Sequence, residues 1–483
     1  MVFHSLSFIL LFLPLVVAGF YYLARKNGQW AISWLVLASL CFYGSWDYRY
    51  VPILVASIAI NYLACRWIVA NSGSRQRWRL AVAIAFNLLL LCFFKYVNFF
   101  IVSINDVSGN TIPLLNILLP VGISFFTFTQ MAVLVDAYRG KVQPMNFTQY
   151  FLFASYFPYI VAGPILRHQE LLPQFTDTRT FRMNGENFAI GISIFIFGLG
   201  KKLLLADNLG TAMNPVVAVA DPQLFQAWLG ALAYTLQLYF DFSGYSDMAI
   251  GASRLLGFKI PINFNSPYKA TSVSDFWQRW HISLSQFLKN YLYISLGGNR
   301  RGQLIRYRNL MLTMLLGGLW HGANWTFVVW GGLHGLYLCM QHGWQHLRRN
   351  RAHRPSAAAV AASRVLTFVA VMVAWVFFRA PDIASAGTVL AGMAGLHGMS
   401  PVTELPWPAY GLLIASAVIA WWMPNTNELF LAADTGESRG PATFSLVRAA
   451  WAPNLRWGVA LGLLLALCVL SIDKADDFIY AQF

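Results

Sequence analysis

The sequence predicts an all-α, polytopic integral membrane protein, and three observations predict it. Of 483 residues, 58% are hydrophobic and only 11% are charged, against about 25% charged in an ordinary soluble domain. Mean hydropathy is +0.54. Apolar runs long enough to cross a bilayer recur along the whole chain. So few charges do not cover the apolar surface of a soluble enzyme, and the hydrophobicity excludes disorder. Backbone in lipid must satisfy its own hydrogen bonds. At about 20 residues per run that means helices, since barrel strands are about 10 residues of alternating polarity.

The runs fall near 5–24, 30–46, 50–70, 79–104, 113–138, 148–166, 187–206, 223–240, 309–345, 361–379, 408–424 and 457–472. The run 309–345 is long enough for two crossings, so the expectation is about 11–13 transmembrane or re-entrant helices. No soluble second domain or internal repeat is visible. The chain reads as one integral-membrane domain, 1–483, with N-terminal spans in 1–112, a core in 113–355 and C-terminal spans in 356–483.

Charge orients the first spans. The segment before Leu6 lacks the basic residues of a signal peptide, so the first span is expected to be retained. Loop 25–29 carries Arg25 and Lys26, loop 46–50 is neutral, 66–79 carries four arginines, and 104–112 carries only Asp106. This alternation puts the N-terminus outside and the arginine-rich loops in the cytoplasm. The net charge of +15 is then a topology signal, and no nucleic-acid-binding motif accompanies it. Cys41, Cys65, Cys92, Cys339 and Cys468 lie in apolar runs without ligand spacing, which reads as buried thiols. No histidine or cysteine cluster has metal spacing, so no metal is expected. Walker, nucleophile-elbow and dinucleotide motifs are absent.

From Phe240 to Arg308 the chain is only intermittently apolar and rich in Gly, Ser, Asn, Trp and Arg. It is too polar to face lipid and too aromatic for a solvated loop, so function is expected there. Arg300, Arg301, Arg306 and Arg308 precede the run 309–345, and Arg348, Arg349, Arg351 and Arg354 come after it. With both clusters cytoplasmic, the run must enter and return. The break falls at Gly317-Gly318-Leu319-Trp320-His321-Gly322-Ala323-Asn324-Trp325. His321 lies 12 residues beyond Asn309, or roughly 18 Å deep along a helix. An ionisable group at that depth is a functional hypothesis, here a general base; a packing histidine bonded to a carbonyl is the plainer reading.

His281 ends the stretch Phe276-Trp277-Gln278-Arg279-Trp280-His281 and is the second candidate; an interfacial aromatic belt is its alternative. Asp241 and Asp247 suit structure or substrate orientation better than acid–base work, and Asp241 is placed to cap a helix starting near Ser243. Lys201-Lys202 reads as a cytoplasmic flank, or as a phosphate contact. Asn263, Asn265 and Tyr268 look like turn chemistry. His334 reads as structural, and His342, His346 and His353 as a basic helix end.

Four stretches, taken in order, resemble the membrane-bound O-acyltransferase family, in its bacterial alginate O-acetyltransferase branch. They are Leu238 to Gly251, Phe276 to Ser285, Tyr291 to Arg300, and Gly317 to Trp325. Weaker likeness covers Phe94 to Phe99, Pro120 to Phe125 and Ala162 to Arg167, and it fades after 360. Gln278 stands where relatives often have Arg or Lys. The resemblance implies helices around a central catalytic cavity, with His321 and His281 as catalytic residues. It implies Asp241, Ser243, Trp280, Asn299, Trp320 and Asn324 along the substrate path, and Arg300 and Arg301 beside the phosphates of acetyl-CoA, the acyl donor. It further implies the bacterial inner membrane, an exopolysaccharide of alginate or cellulose type as final acceptor, and periplasmic acetyltransferase or acetyl-relay proteins as partners. A polysaccharide-export transporter and a scaffold for periplasmic acetylation proteins are the rival readings. Repeat symmetry would mark the first, and tolerance of an apolar residue at 321 the second.

Overall fold

The computed structural model describes residues 1–70, 73–300, 302–347, 356–402, 405–430, 451–476 and 478–479. Every regular element among them is helical. Five helices are long and apolar enough to cross a membrane: Ser7–Ala24, Gly28–Val69, Ser74–Ser108, Gly185–Val217 and Ala357–Arg379. Ile123–Tyr138, Ile383–Met393, Trp407–Trp422 and Leu455–Ser471 are shorter apolar helices. The protein is an all-α, multi-pass membrane protein.

Two compact units are formed: residues 1–196 with 245–261, and residues 197–244 with 262–483. In the first, Asn27 caps Gly28–Asp47 by accepting from the Gln29 amide at 2.7 Å. That helix stops where Asp47 accepts from the Arg49 amide, and Val51–Val69 restarts with a proline in its first turn. The expected pair of spans, 30–46 and 50–70, is therefore present. Val51–Val69 is tied to Ser74–Leu91 by a reciprocal pair between Asn61 and Asn87, at 3.1 and 2.7 Å. Such amide pairs hold helices together where burial gives no preference between lipid and protein.

Two expected spans are corrected. Within 113–138 only Ile123–Tyr138 is helical, because Pro113 and Pro120 keep 109–122 irregular. Within 148–166 the helix is only Phe147–Ser155; Pro158, Gly163 and Pro164 break residues 156–166 into turns and irregular backbone. All five cysteines are free, but Cys41 and Cys92 lie on the outer surface of helices rather than inside. An apolar run carries no record of whether its partner is protein or lipid.

The second unit carries the expected hairpin. Gln303–His321 and Trp325–Leu347 are joined by three residues and pack against each other along their length. Glycine permits the contact. A Cβ on Gly318 would collide with the Phe327 carbonyl oxygen and lie 3.1 Å from the Gly331 Cα, and one on Gly331 would collide with the Met314 carbonyl oxygen. Ala357–Arg379 packs beside the return helix. The side chain of Asn324, at the hairpin tip, donates to the Pro381 carbonyl at 2.6 Å. Tip and Arg379 thus share one end, opposite the arginines that open the hairpin.

Leu224–Leu255 is one 32-residue helix running well past the expected end of its span. Asp241 therefore sits in mid-helix and caps nothing, which corrects the expectation of a start near Ser243. The carboxylate is tolerated there because it has a cation. Lys202, 1% exposed, places its ammonium 2.8 Å from Asp241 and 2.8 Å from Asp207. The expectation of Lys201-Lys202 as a flank fails for the same reason. The pair lies in a π-helical turn, Lys201–Ala206, with Lys202 inside the unit. Buried charges persist only when paired in this way.

Candidate active site

His321 is the last residue of Gln303–His321 and is 5% exposed. Aromatic rings surround it. Trp320, Trp330 and Phe378 meet it edge-on, with centroids at 4.9, 5.0 and 5.3 Å, and the His281 ring lies at 6.4 Å. Three helices supply this box, with Trp330 from the return helix and Phe378 from Ala357–Arg379. The predicted histidine pair is brought together although its members lie 40 residues apart in sequence.

His281 is fully buried and occupies left-handed backbone, φ 42°, just before Ile282–Phe287. Such a conformation is costly outside glycine, so it is held by neighbours. Asn263 does the holding. Its carbonyl oxygen accepts from the Ser283 amide at 3.2 Å and the Ser283 hydroxyl at 2.9 Å. Its backbone carbonyl accepts from the Ile282 amide at 3.0 Å. The same Oδ1 lies 3.2 Å from His281 Nδ1. Because the Ser283 amide can only donate, that atom is an oxygen, and His281 Nδ1 must carry a proton toward it. In the neutral ring this leaves the lone pair on Nε2. Asn263, expected to be turn chemistry, is thus the residue that fixes His281. Only the paired contact reveals it, because the spacing Asn263 to His281 has no period.

The other predicted residues divide by place. Trp320 touches both histidines, with its ring 6.2 Å from His281. Trp280 is fully buried one layer away, 5.0 Å from Trp375 and 5.0 Å from Phe264. Asp241 is bound to Lys202 and accepts from the Ile479 amide at 3.0 Å. Its neighbour Phe242 presents its ring to His281 at 4.8 Å and 90°. Ser243 is buried in the same helix turn. Asn324 accepts from the Thr326 amide at 3.0 Å and so caps the return helix at the tip. Asn299 and Arg300 are exposed in the turn before Gln303, at the other end of the hairpin. Arg301, Arg348, Arg349, Arg351, His353 and Arg354 lie outside the described residues.

A third histidine joins the aromatic cluster. His334, fully buried, accepts from the Trp277 indole N–H at Nδ1, 3.3 Å, so its neutral ring carries the proton on Nε2. It lies one ring beyond the box, 4.9 Å from Trp330. His334 Nε2 and the indole nitrogens of Trp330 and Trp375 have no hydrogen-bond partner among the described residues. Three such donors in one cluster are uncommon in a protein interior. No group of three or more potential metal ligands occurs among the described residues.

An imidazole enclosed by aromatic rings, backed by a second imidazole of fixed tautomer, suits proton transfer shielded from water. The chain matches the membrane-bound O-acyltransferase family over residues 40–380, which includes both histidines and Asn263. It belongs to that family. It is therefore an acyltransferase of the membrane. The chain is 43% identical over 429 residues to a peptidoglycan O-acetyltransferase of Helicobacter pylori, covering 83% of this chain and 81% of that protein. It is 39% identical over 518 aligned positions to a probable alginate O-acetylase of Azotobacter vinelandii, covering both chains in full. A teichoic acid D-alanyltransferase of Streptococcus thermophilus is more distant, 27% identical over half of this chain and 61% of that protein.

Proposed function

We propose that this membrane acyltransferase takes acetyl from cytoplasmic acetyl-CoA and passes it across the bacterial inner membrane for O-acetylation of a secreted exopolysaccharide. The single observation that carries the reading is the enclosure of His321 at the inner end of the hairpin, against His281. The names of the alginate and peptidoglycan relatives support a cell-envelope polymer as final acceptor.

In this reading Arg300, Arg301 and their neighbouring arginines attract the phosphates of CoA at the open end of the hairpin. The thioester reaches His321 about 18 Å further in, counted from Asn309. His321 takes the proton of an acceptor hydroxyl as its oxygen attacks the thioester carbonyl carbon. The new C–O bond forms, the C–S bond breaks, and the imidazolium returns the proton to the CoA thiolate. His281, held by Asn263, orients the reacting groups, and the aromatic walls exclude water that would hydrolyse the thioester. Periplasmic acetylation proteins are the expected partners on the far side.

The test is the O-acetyl content of secreted polysaccharide from cells carrying the wild type or His321→Ala at equal membrane levels. Loss of acetyl with polymer export unchanged supports the proposal. Unchanged acetylation removes His321 from the chemistry and favours a scaffold. Loss of the polymer itself points to a transporter.

A further inference from the structure

A cavity of ≈ 680 Å³ opens in the first unit, where Ser74–Leu91 begins and Ile123–Tyr138 ends. Ser74, Gln76, Arg77, Trp78 and Ala81 line it from the first helix and Tyr138 from the second. None of the stretches that carry the family resemblance lines it.

Its charge has no internal counterpart. Between Asp47 and Asp106 the sequence has no Asp or Glu, while 66–79 carries four arginines. Arg79 belongs to the frame: it lies over the Trp67 ring at 4.6 Å and donates to the Trp67 carbonyl at 2.9 Å. Arg75 and Arg77 are exposed and have no ion pair or hydrogen bond among the described residues. The acid of the facing helix, Asp136, is buried and engaged by His168 at 3.5 Å and Arg139 at 4.0 Å.

Topology alone asks for cations at this end of the spans. It asks neither for a cavity beside them nor for what adjoins it. Trp78, Val82, Ala85 and Leu89 recur at spacings of four, three and four residues, so they form one strip of the helix, and all are exposed. The cavity wall thus continues at Trp78 into an apolar track along the span. Trp67 and Trp78 are exposed at the level of the arginines, as aromatic side chains are at a membrane–water boundary. A soluble phosphate would leave the track unused, and an uncharged lipid would leave the arginines unused. A ligand that is anionic at one end and apolar at the other uses both.

We propose that the cavity binds the phosphate headgroup of an anionic phospholipid, with an acyl chain along the strip from Trp78 to Leu89. Arg77 from the wall and Arg75 from the same helix turn hold phosphate oxygens, and Ser74 and Gln76 donate to the rest of the headgroup. This site is independent of the reaction proposed above.

The test is lipid binding to the purified full-length protein in detergent micelles, read by native mass spectrometry. The probes are phosphatidylglycerol, phosphatidylcholine with the same chains, and two soluble phosphates, inorganic phosphate and coenzyme A. Phosphatidylglycerol is expected to bind about tenfold or more tighter than phosphatidylcholine, with neither soluble phosphate displacing it. Arg75→Gln with Arg77→Gln should weaken it about tenfold or more. Ala81→Trp, which fills the cavity and keeps every charge, should do the same. Arg25→Gln with Lys26→Gln removes equal charge from another loop and should leave affinity within about twofold. Equal binding of the two lipids, displacement by phosphate or coenzyme A, wild-type affinity in the Arg75/Arg77 variant, or an equal loss in the Arg25/Lys26 variant overturns the proposal. Should the Arg75/Arg77 variant fail to fold, Ala81→Trp and the comparison of probes on the wild type decide.

Discussion

Removing the Asn263 side chain tests how the histidine pair is built. In Asn263→Ala the Oδ1 atom is lost and three donors lose their acceptor: His281 Nδ1–H, the Ser283 amide and the Ser283 hydroxyl. The hydroxyl rotates to another acceptor. The other two cannot, because His281 is fully buried and Ser283 is 6% exposed. At about 1–3 kcal/mol for each stranded donor, the loss is about 2–6 kcal/mol. It falls first on the left-handed turn at His281, which the Asn263 side chain braces. Half of the lower bound appearing at the site would slow transfer about fivefold, and about 1.4 kcal/mol would slow it about tenfold. The assay is acetyl transfer by purified protein, with donor KM and kcat measured separately and the melting temperature recorded. The expected result is a fall in kcat of about tenfold or more with donor KM nearly constant. Asn263→Asp keeps the acceptor geometry and should retain the turn while changing the charge beside His281. Wild-type kcat in a stably folded Asn263→Ala protein would refute the assignment of Asn263 as the positioning residue.

Three further predictions concern the frame of the site. Gly318→Val forces the hairpin helices apart against the Phe327 carbonyl; overpacking of about 1–3 kcal/mol is expected, read as a lower melting temperature together with lost transfer. Lys202→Met leaves Asp207 and Asp241 buried without their cation, which should destabilise the protein by about 3–5 kcal/mol, and adding Asp207→Asn and Asp241→Asn should restore much of it. A triple variant no better than the single one would show that the lysine matters for reasons other than charge. Asn324→Ala removes both the cap on Thr326 and the tie to Pro381, and is expected to cost about 1–2 kcal/mol. Asn324→Asp should keep the cap and lose the tie, so an Asp variant as unstable as Ala would assign the effect to the tie.

The helical hairpin was legible because its signal is local: a long apolar run, arginines on both sides and a glycine-rich break at His321. The class of the protein was legible from composition for the same reason. Helix ends inside the apolar stretches were less so. Pro113 and Pro120 shorten one expected span and Pro158 to Pro164 another, while Leu224–Leu255 runs on past a polar stretch. Hydropathy measures what a segment prefers to contact, not whether its backbone remains helical.

What the sequence alone determined about this protein is therefore its solvent and its helical class, and it nominated the two histidines as candidates. The first two come from composition and apolar run length, His321 from the pattern of its own segment, and His281 from the family resemblance. Tertiary structure decided what holds them. Asn263 reaches His281 across 18 positions, Lys202 reaches Asp241 across 39, and Phe378 closes the box on His321 from 57 residues further along the chain. A buried polar group must find its partner in three dimensions, and a single sequence carries no period or motif that records which distant residue that partner is.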